Sequence, residues 1–248
     1  MEIYKNIYYY NELSSTNTCA YALMQHKKTP EYTVIVSENQ THGKGQKNAV
    51  WESNPGENLT FSIIVYPDHI SANKQFVISE CISLAIRNVV AHYCAEVFIK
   101  WPNDIYVGDK KIAGILLEHI LSGYTIAGSV IGVGLNCNQT TFSESIPNPV
   151  SVKQCIAHTV SVKELLYEVL EEFYVVYSHT KTDPLGVHAT YLQHIYLFNT
   201  FSTYKDKDGV FLGKIIDIEQ NGVLHIQDEH NQKRTYFFKE VELVHSKV

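Results

Sequence analysis

The sequence predicts an α+β protein in which one mixed β-sheet, flanked by helices, is followed by a small β-barrel. Three observations carry this expectation. Strand-like runs separated by turn residues recur between residues 3 and 137. Two long stretches, within residues 72–94 and 162–177, place apolar residues at helical spacing. After Phe198 the chain becomes a series of short β-prone runs broken by Asp208-Gly209 and Asn221-Gly222, both favoured hairpin turns. The domain boundary is expected at that change, with one domain over residues 1–197 and a second over residues 198–248.

Taken in order, residues 3–10 are tyrosine-rich and β-prone, and Ser14-Ser15-Thr16-Asn17 supplies N-cap candidates for a helix reaching about Gln25. A strand over residues 32–36 leads into a loop rich in glycine, amide and cation, from Ser37 to Trp51. Residues 58–66 read as a strand, and residues 72–94 as a helix whose apolar residues belong to the core. Residues 97–100, 105–107, 111–119 and 124–137 read as successive strands, with turns at Val107-Gly108-Asp109 and Leu121-Ser122-Gly123. Residues 162–177 form an amphipathic helix whose Glu164, Glu168, Glu171 and Glu172 make a solvated face. A further helix is expected over residues 186–196, after Asp183-Pro184. Strands over residues 211–218, 223–227 and 234–238 complete the barrel.

Composition narrows the function. The 248 residues are 45% hydrophobic and 19% charged, as in a soluble globular protein, and the net charge of -6 argues against a general nucleic-acid footprint. Five cysteines form no C-x-x-C and twelve histidines no H-E-x-x-H, so reduced thiols and no protein-ligated metal are expected. Residues 1–7 lack a secretory start and no apolar run approaches a membrane span, which points to a cytoplasmic chain.

Four segments concentrate polar chemistry where structure alone does not ask for it. In Lys100-Trp101-Pro102-Asn103-Asp104, a tryptophan, an amide and a carboxylate stand at a turn, and Lys111 opens the outgoing strand beside Gly114. Taken alone, this is also what an ordinary hairpin with a solvated lysine looks like. The Gly43-Lys44-Gly45 loop can bring backbone N–H groups and the cations Lys44 and Lys47 to an anion. Gly132-Val133-Gly134-Leu135-Asn136 reads as a buried strand with room for a flat group, or as a core strand with a bulge. Ser15, Thr16 and Asn17 have a sufficient explanation as helix caps, and a helix N-terminus also offers donors to a polar head group.

Taken in chain order, Ser15-Thr16-Asn17, the Gly43 loop, the Lys100–Gly114 segment and the Gly132 strand resemble the biotin-protein ligases, over about residues 10–140. The resemblance implies a class II synthetase-like catalytic domain with a small SH3-like C-terminal barrel. It implies two half-reactions: biotin and ATP give biotinyl-AMP and pyrophosphate, then the biotinyl group passes to a lysine of a biotin carboxyl carrier protein or a carrier domain of a biotin carboxylase-family enzyme. Lys111 and Lys44 correspond to the catalytic cations, and Mg2+ is held through the nucleotide's phosphates. Biotin corresponds to Ser15, Thr16, Asn17, Gln40, Gly43, Lys44, Gly45, Gln46, Lys111 and Gly114. The adenylate corresponds to Lys47, Trp51, Asn103, Gly132, Gly134 and Asn136, with Trp51 covering the adenine or, alternatively, anchoring its loop in the core. Asp104 is left open between a turn cap and a functional role.

The departures from the family pattern are specific. Where the family loop often runs Gly-Arg-Gly-Arg-x-Gly, this chain has Gly43-Lys44-Gly45-Gln46-Lys47-Asn48, which keeps one charge but loses the guanidinium fork. The winged helix-turn-helix of the longer, DNA-binding members is not expected ahead of the Ser-Thr-Asn element. The alternatives are a lipoate or octanoate ligase or transferase, and a biotin-binding sensor without catalysis.

Overall fold

The computed structural model describes residues 5–26, 29–46 and 49–244. Strands β1 (Ile7–Leu13), β2 (Thr33–Gln40), β3 (Leu59–Val65), β4 (Val97–Lys100), β5 (Asp104–Val107), β6 (Lys110–Ser122) and β7 (Thr125–Leu135) form one seven-stranded sheet, in the order β1-β2-β3-β7-β6-β5-β4. β1 runs parallel to β2 and every other pair is antiparallel, so the sheet is mixed, as expected.

The two faces of this sheet are covered unequally. Alternate residues such as Phe61, Ile63, Ile115, Ile131 and Val133 are buried against α2 (Phe76–Ala91) and α4 (Val162–His179) in the large core. Among the described residues the opposite face meets one helix, α1 (Thr16–His26), over a small cluster of Ala20, Ile35, Ile64 and Val130. Beyond that cluster the same face carries Thr60, Ser62, Gly114, Gly132 and Gly134, and this uncovered part of the sheet holds the candidate site.

Several element bounds differ from the expectations for local physical reasons. The stretch 72–94 divides into a 3-10 turn at Ala72–Lys74 and α2. β2 continues to Gln40 because it pairs with β1 as far as Leu13, which places Gln40 at the strand end. α5 (Pro184–Gln193) begins two residues early because Asp183 accepts from the Gly186 N–H and Pro184 suits the first turn. α3 (Val152–Ile156) was not anticipated; a capping box between Ser151 and Gln154 supports it.

The C-terminal part is a five-stranded antiparallel sheet in the order β11-β10-β9-β8-β12, from β8 (Ser202–Asp206), β9 (Gly209–Ile218), β10 (Leu224–Asp228), β11 (Lys233–Tyr236) and β12 (Glu242–Leu243). β8 and β12 were not foreseen. Among the described residues no pairing between β11 and β12 closes this sheet. The last expected strand ends at Tyr236, and Phe238 instead packs on Trp101 and Phe76, with ring centroids 5.5 and 5.7 Å away. Among the described residues no helix is long and apolar enough to cross a membrane.

Candidate functional site

Strand register builds the floor of the site. Asp104 pairs with Gly114, Gly114 with Gly134, and Gly134 with Thr60, in a row across four strands. The next row on the same face joins Leu116, Gly132 and Ser62. With three glycines in these rows the sheet surface is low, and a cavity of about 290 Å³ stands over it, near the lower end for small-molecule sites.

One end of the cavity is a buried polar network. The Gln40 Oε1 accepts from the Thr16 N–H at 2.8 Å and from the Thr16 hydroxyl at 3.2 Å. Ser62 Oγ lies 2.7 Å from Asn17 Oδ1 and 2.8 Å from Thr16 Oγ1. The Asn17 amide donates to Glu118 at 2.8 Å and to the Leu116 carbonyl at 3.3 Å. Ser15 precedes α1, Thr16 and Asn17 open it, and all three are buried. Polar side chains buried in this way are orienting groups, because each donor and acceptor left unpaired there is costly.

The other end is cationic. Lys111 Nζ lies 2.7 Å from Asp104 Oδ1, and both side chains are about a quarter exposed, at 27% and 22%. The Lys111 backbone is fixed by its N–H donating to Asn148 O at 2.7 Å and its carbonyl accepting from the Val150 N–H at 3.0 Å. Its ammonium also stands 5.7 Å from the Trp51 ring centroid. Behind Asp104, burial holds the Lys100 ammonium below the ordinary lysine range; Asp104 opposes this shift and Lys111 adds to it. Asn103 lines the cavity, while its amide donates to Ile115 O at 2.6 Å.

The glycine-rich loop is more closed than its composition suggests. The Gly45 N–H donates to Ala49 O at 2.6 Å and the Trp51 N–H to Gly43 O at 3.0 Å, with a bridge between Lys44 and Val50. The Gly45 N–H is thus spent within the loop and not presented to an anion. Gly43 does not line the cavity; a side chain there would strike the Trp51 carbonyl. Lys44, Gly45 and Gln46 do line it, and Lys47 lies outside the described residues.

Packing decides what the glycine strand holds in this structure. The room over Gly134 is filled by the Trp51 indole and that over Gly132 by the Asn17 amide. Trp51 therefore lies on the floor between Gly114 and Gly134, and its Nε1 has no hydrogen-bond partner among the described residues. Asn136 is buried outside the cavity and donates to Val150 O at 3.0 Å, which satisfies the carbonyl preceding α3.

Three residues, Ser62, Glu118 and Lys239, were not singled out from the sequence, and Asp104, left open there, gains a partner. Ser62 and Glu118 tie down Asn17, Asp104 pairs with Lys111, and Lys239 enters the cavity wall from the C-terminal sheet. Strand parity was the available signal for Ser62 and Glu118, since both share a face with Gly114 and Gly132. Lys239 had none, being more than 120 residues from Lys111 in sequence.

Comparison with known proteins gives a consistent result. Residues 9–136 match the family described as the biotin/lipoate A/B protein ligase family. The chain is 26% identical to the bifunctional ligase/repressor BirA of Bacillus spizizenii over 94% of its own length and 72% of that protein. Over 46% of its length it is 35% identical to BirA of Escherichia coli, covering 35% of that protein. Among solved structures, the biotin protein ligase from Aquifex aeolicus in complex with biotin and ATP superposes with a TM-score of 0.81 at 22% identity, covering 98% of this chain and 100% of that one.

Proposed function

The chain belongs to the biotin/lipoate A/B protein ligase family, and from this premise we infer that it is a biotin-protein ligase that activates biotin with ATP and transfers it to a carrier lysine. The observation that carries this reading is a single cavity with a buried hydrogen-bonding network at one end and the Lys111–Asp104 pair at the other.

The polar end discriminates between the substrates of the family. Biotin's ureido ring offers both N–H donors and a carbonyl acceptor, whereas a dithiolane ring offers neither. A site built on Thr16, Asn17, Gln40 and Ser62 rejects a group that leaves its polar atoms unpaired. With the ring at that end, the valeryl chain runs over the glycine floor beside Trp51, and its carboxylate arrives at Lys111.

Lys111 then serves the first half-reaction. A biotin carboxylate oxygen attacks the α-phosphorus, the bond from that phosphorus to the bridging oxygen breaks, and pyrophosphate leaves with the electron pair. Two anions must meet for this to happen, so a cation placed between them lowers the barrier. Asp104 holds the Lys111 ammonium in position, and Lys44 adds positive charge at the rim. Magnesium is taken to be carried chiefly by the nucleotide's phosphates, as its preference for octahedral oxygen ligands allows. In the second half-reaction a carrier lysine's amine attacks the anhydride carbonyl and AMP departs.

We take the carrier to be a biotin carboxyl carrier protein or an equivalent carrier domain, and the division at residues 197 and 198 to separate a catalytic domain from a small SH3-like barrel. Support for the second point is the change to short antiparallel strands and the Phe198–Ile215 bridge at the junction.

The test is ATP–pyrophosphate exchange with biotin and with lipoate, followed by mass analysis of a carrier domain. Biotin-dependent exchange and a biotinyl mass increment are expected. Exchange with lipoate alone would make it a lipoate ligase, and biotin binding without exchange would make it a sensor.

A further inference from the structure

Two free cysteines, far apart in sequence, meet in the fold. Cys94 ends the turn that follows α2, where its N–H donates to Val90 O at 2.8 Å, and it is 6% exposed. Cys155 lies in α3 and is exposed. The two thiols are within hydrogen-bonding reach of each other. Burial first, and then the hydrogen bond and charge of Cys155, push the Cys94 thiol up to about 12. The exposed sulfur meets any oxidant in solution and the buried one stands directly behind it, which is the arrangement of an attacked thiol and its resolving partner.

Helix α3 is tied to Lys111 through the segment before it. The Asn148 carbonyl accepts from the Lys111 N–H at 2.7 Å, and the Val150 N–H donates to the Lys111 carbonyl at 3.0 Å. Within α3 only Val152 is buried, whereas α2 is buried along most of its length. A disulfide holds its sulfurs about 2 Å apart, closer than two hydrogen-bonded thiols. Closing one here draws the lightly held α3 toward the end of α2, and residues 148–150 and the Lys111 backbone follow. We propose that Cys94 and Cys155 form an oxidation site, at which a peroxide closes a disulfide that displaces Lys111 and suppresses adenylation. The effect on adenylation rests on the ligase reading above; the disulfide does not. Peroxide oxidises the Cys155 thiol to a sulfenic acid and releases water. The Cys94 sulfur then attacks the Cys155 sulfur and expels hydroxide, which takes the Cys94 proton and leaves as a second water. Two thiols are oxidised and one peroxide is reduced.

Treating the full chain with hydrogen peroxide is expected to give a Cys94–Cys155 cross-linked peptide on non-reducing mass mapping, lighter by two hydrogens than the reduced pair. Biotin-dependent ATP–pyrophosphate exchange should fall at least about ten-fold and return with dithiothreitol, since misplacing a reacting group by about 1 Å can cost on the order of 100-fold. Cys155→Ser, a change at an exposed position, should keep full exchange after the same treatment. Absence of the cross-link, unchanged exchange in the cross-linked chain, or an equal loss in Cys155→Ser would each overturn the proposal. If the reduced chain shows no biotin-dependent exchange, the ligase reading falls. Amide hydrogen exchange then decides the displacement of Lys111 separately: altered protection at Lys111 and Val150 in the cross-linked chain supports it, and unchanged protection overturns it.

Discussion

Lys111 reaches Asp104 by passing over Gly114, where an added Cβ would stand 3.3 Å from the lysine's Nζ. Removing the ammonium should therefore affect chemistry far more than folding. Lys111→Ala is expected to slow biotinyl-AMP formation ~100-fold or more, the usual cost of losing one group that stabilises transition-state charge. The ion pair is partly solvated, so its loss should cost at most about 1 kcal/mol of stability. Single-turnover adenylation at the wild-type rate would remove Lys111 from the mechanism. Gly134 makes a different demand, since any side chain there enters the space of the Trp51 indole. Gly134→Ala should displace the indole, at a cost of about 1–3 kcal/mol. Biotin affinity should fall with a change in tryptophan emission, and an unchanged spectrum would mean that Trp51 does not rest on this floor in solution.

Helices α2 and α5 are joined by a buried contact, with His188 Nδ1 2.6 Å from Glu80 Oε1. The hydrogen bond to Glu80 raises the His188 imidazole above its ordinary range, against the opposing effect of burial. Burial raises the Glu80 carboxyl, and His188 opposes that shift. A group whose folded value is raised contributes stability that is complete below its unfolded value and is lost as pH rises through the folded one. The thermal midpoint should therefore decline as pH climbs from about 6.5, the ordinary histidine value, through the raised value of His188. His188→Gln should flatten that decline, and a melting series across pH with parallel curves for the two proteins would refute the coupling. The glycine-rich loop makes a second prediction, because Gln46 lines the cavity as a neutral amide, at the position where the loop pattern it resembles often has an arginine. Gln46→Arg should slow escape of preformed biotinyl-AMP about ten-fold, as a charge-assisted contact is gained. Lys47→Ala, at a position outside the described residues, should speed it. Chase experiments in which both variants match wild type would assign retention to the loop backbone and Lys44.

The catalytic sheet and the C-terminal sheet meet through aromatic packing, Phe238 against Trp101 and Phe76. Trp101 adjoins the Asn103–Asp104 hairpin, so this junction supports the cationic end of the cavity and leaves the polar end to α1 and β2. Truncation before Thr200 is accordingly expected to impair ATP use and carrier biotinylation more than biotin binding. Equal loss of all three would reduce the C-terminal sheet to a stabilising element. An unchanged overall rate would remove it from the reaction.

Local periodicity and turn chemistry were enough to read the mixed sheet, the helices that cover it and the β-rich tail, because these patterns record which face of each element is apolar. The ordered motifs likewise located Thr16, Gln40, Lys111 and Gly114, which the structure brings to one cavity. The use made of each residue was decided elsewhere. Asn136 and Gly134 look alike in sequence as ligand-facing positions, yet Asn136 must satisfy the Val150 carbonyl and Gly134 must receive an indole. Gly45 looks open to an anion, yet its N–H closes the loop on Ala49. Ser62, Glu118, Asp104 and Lys239 become site residues only when strand register and the docking of the C-terminal sheet bring distant segments together. Such contacts depend on which backbone and side-chain groups are already paired in three dimensions, and that pairing is a property of the packed structure and not of any local stretch of chain.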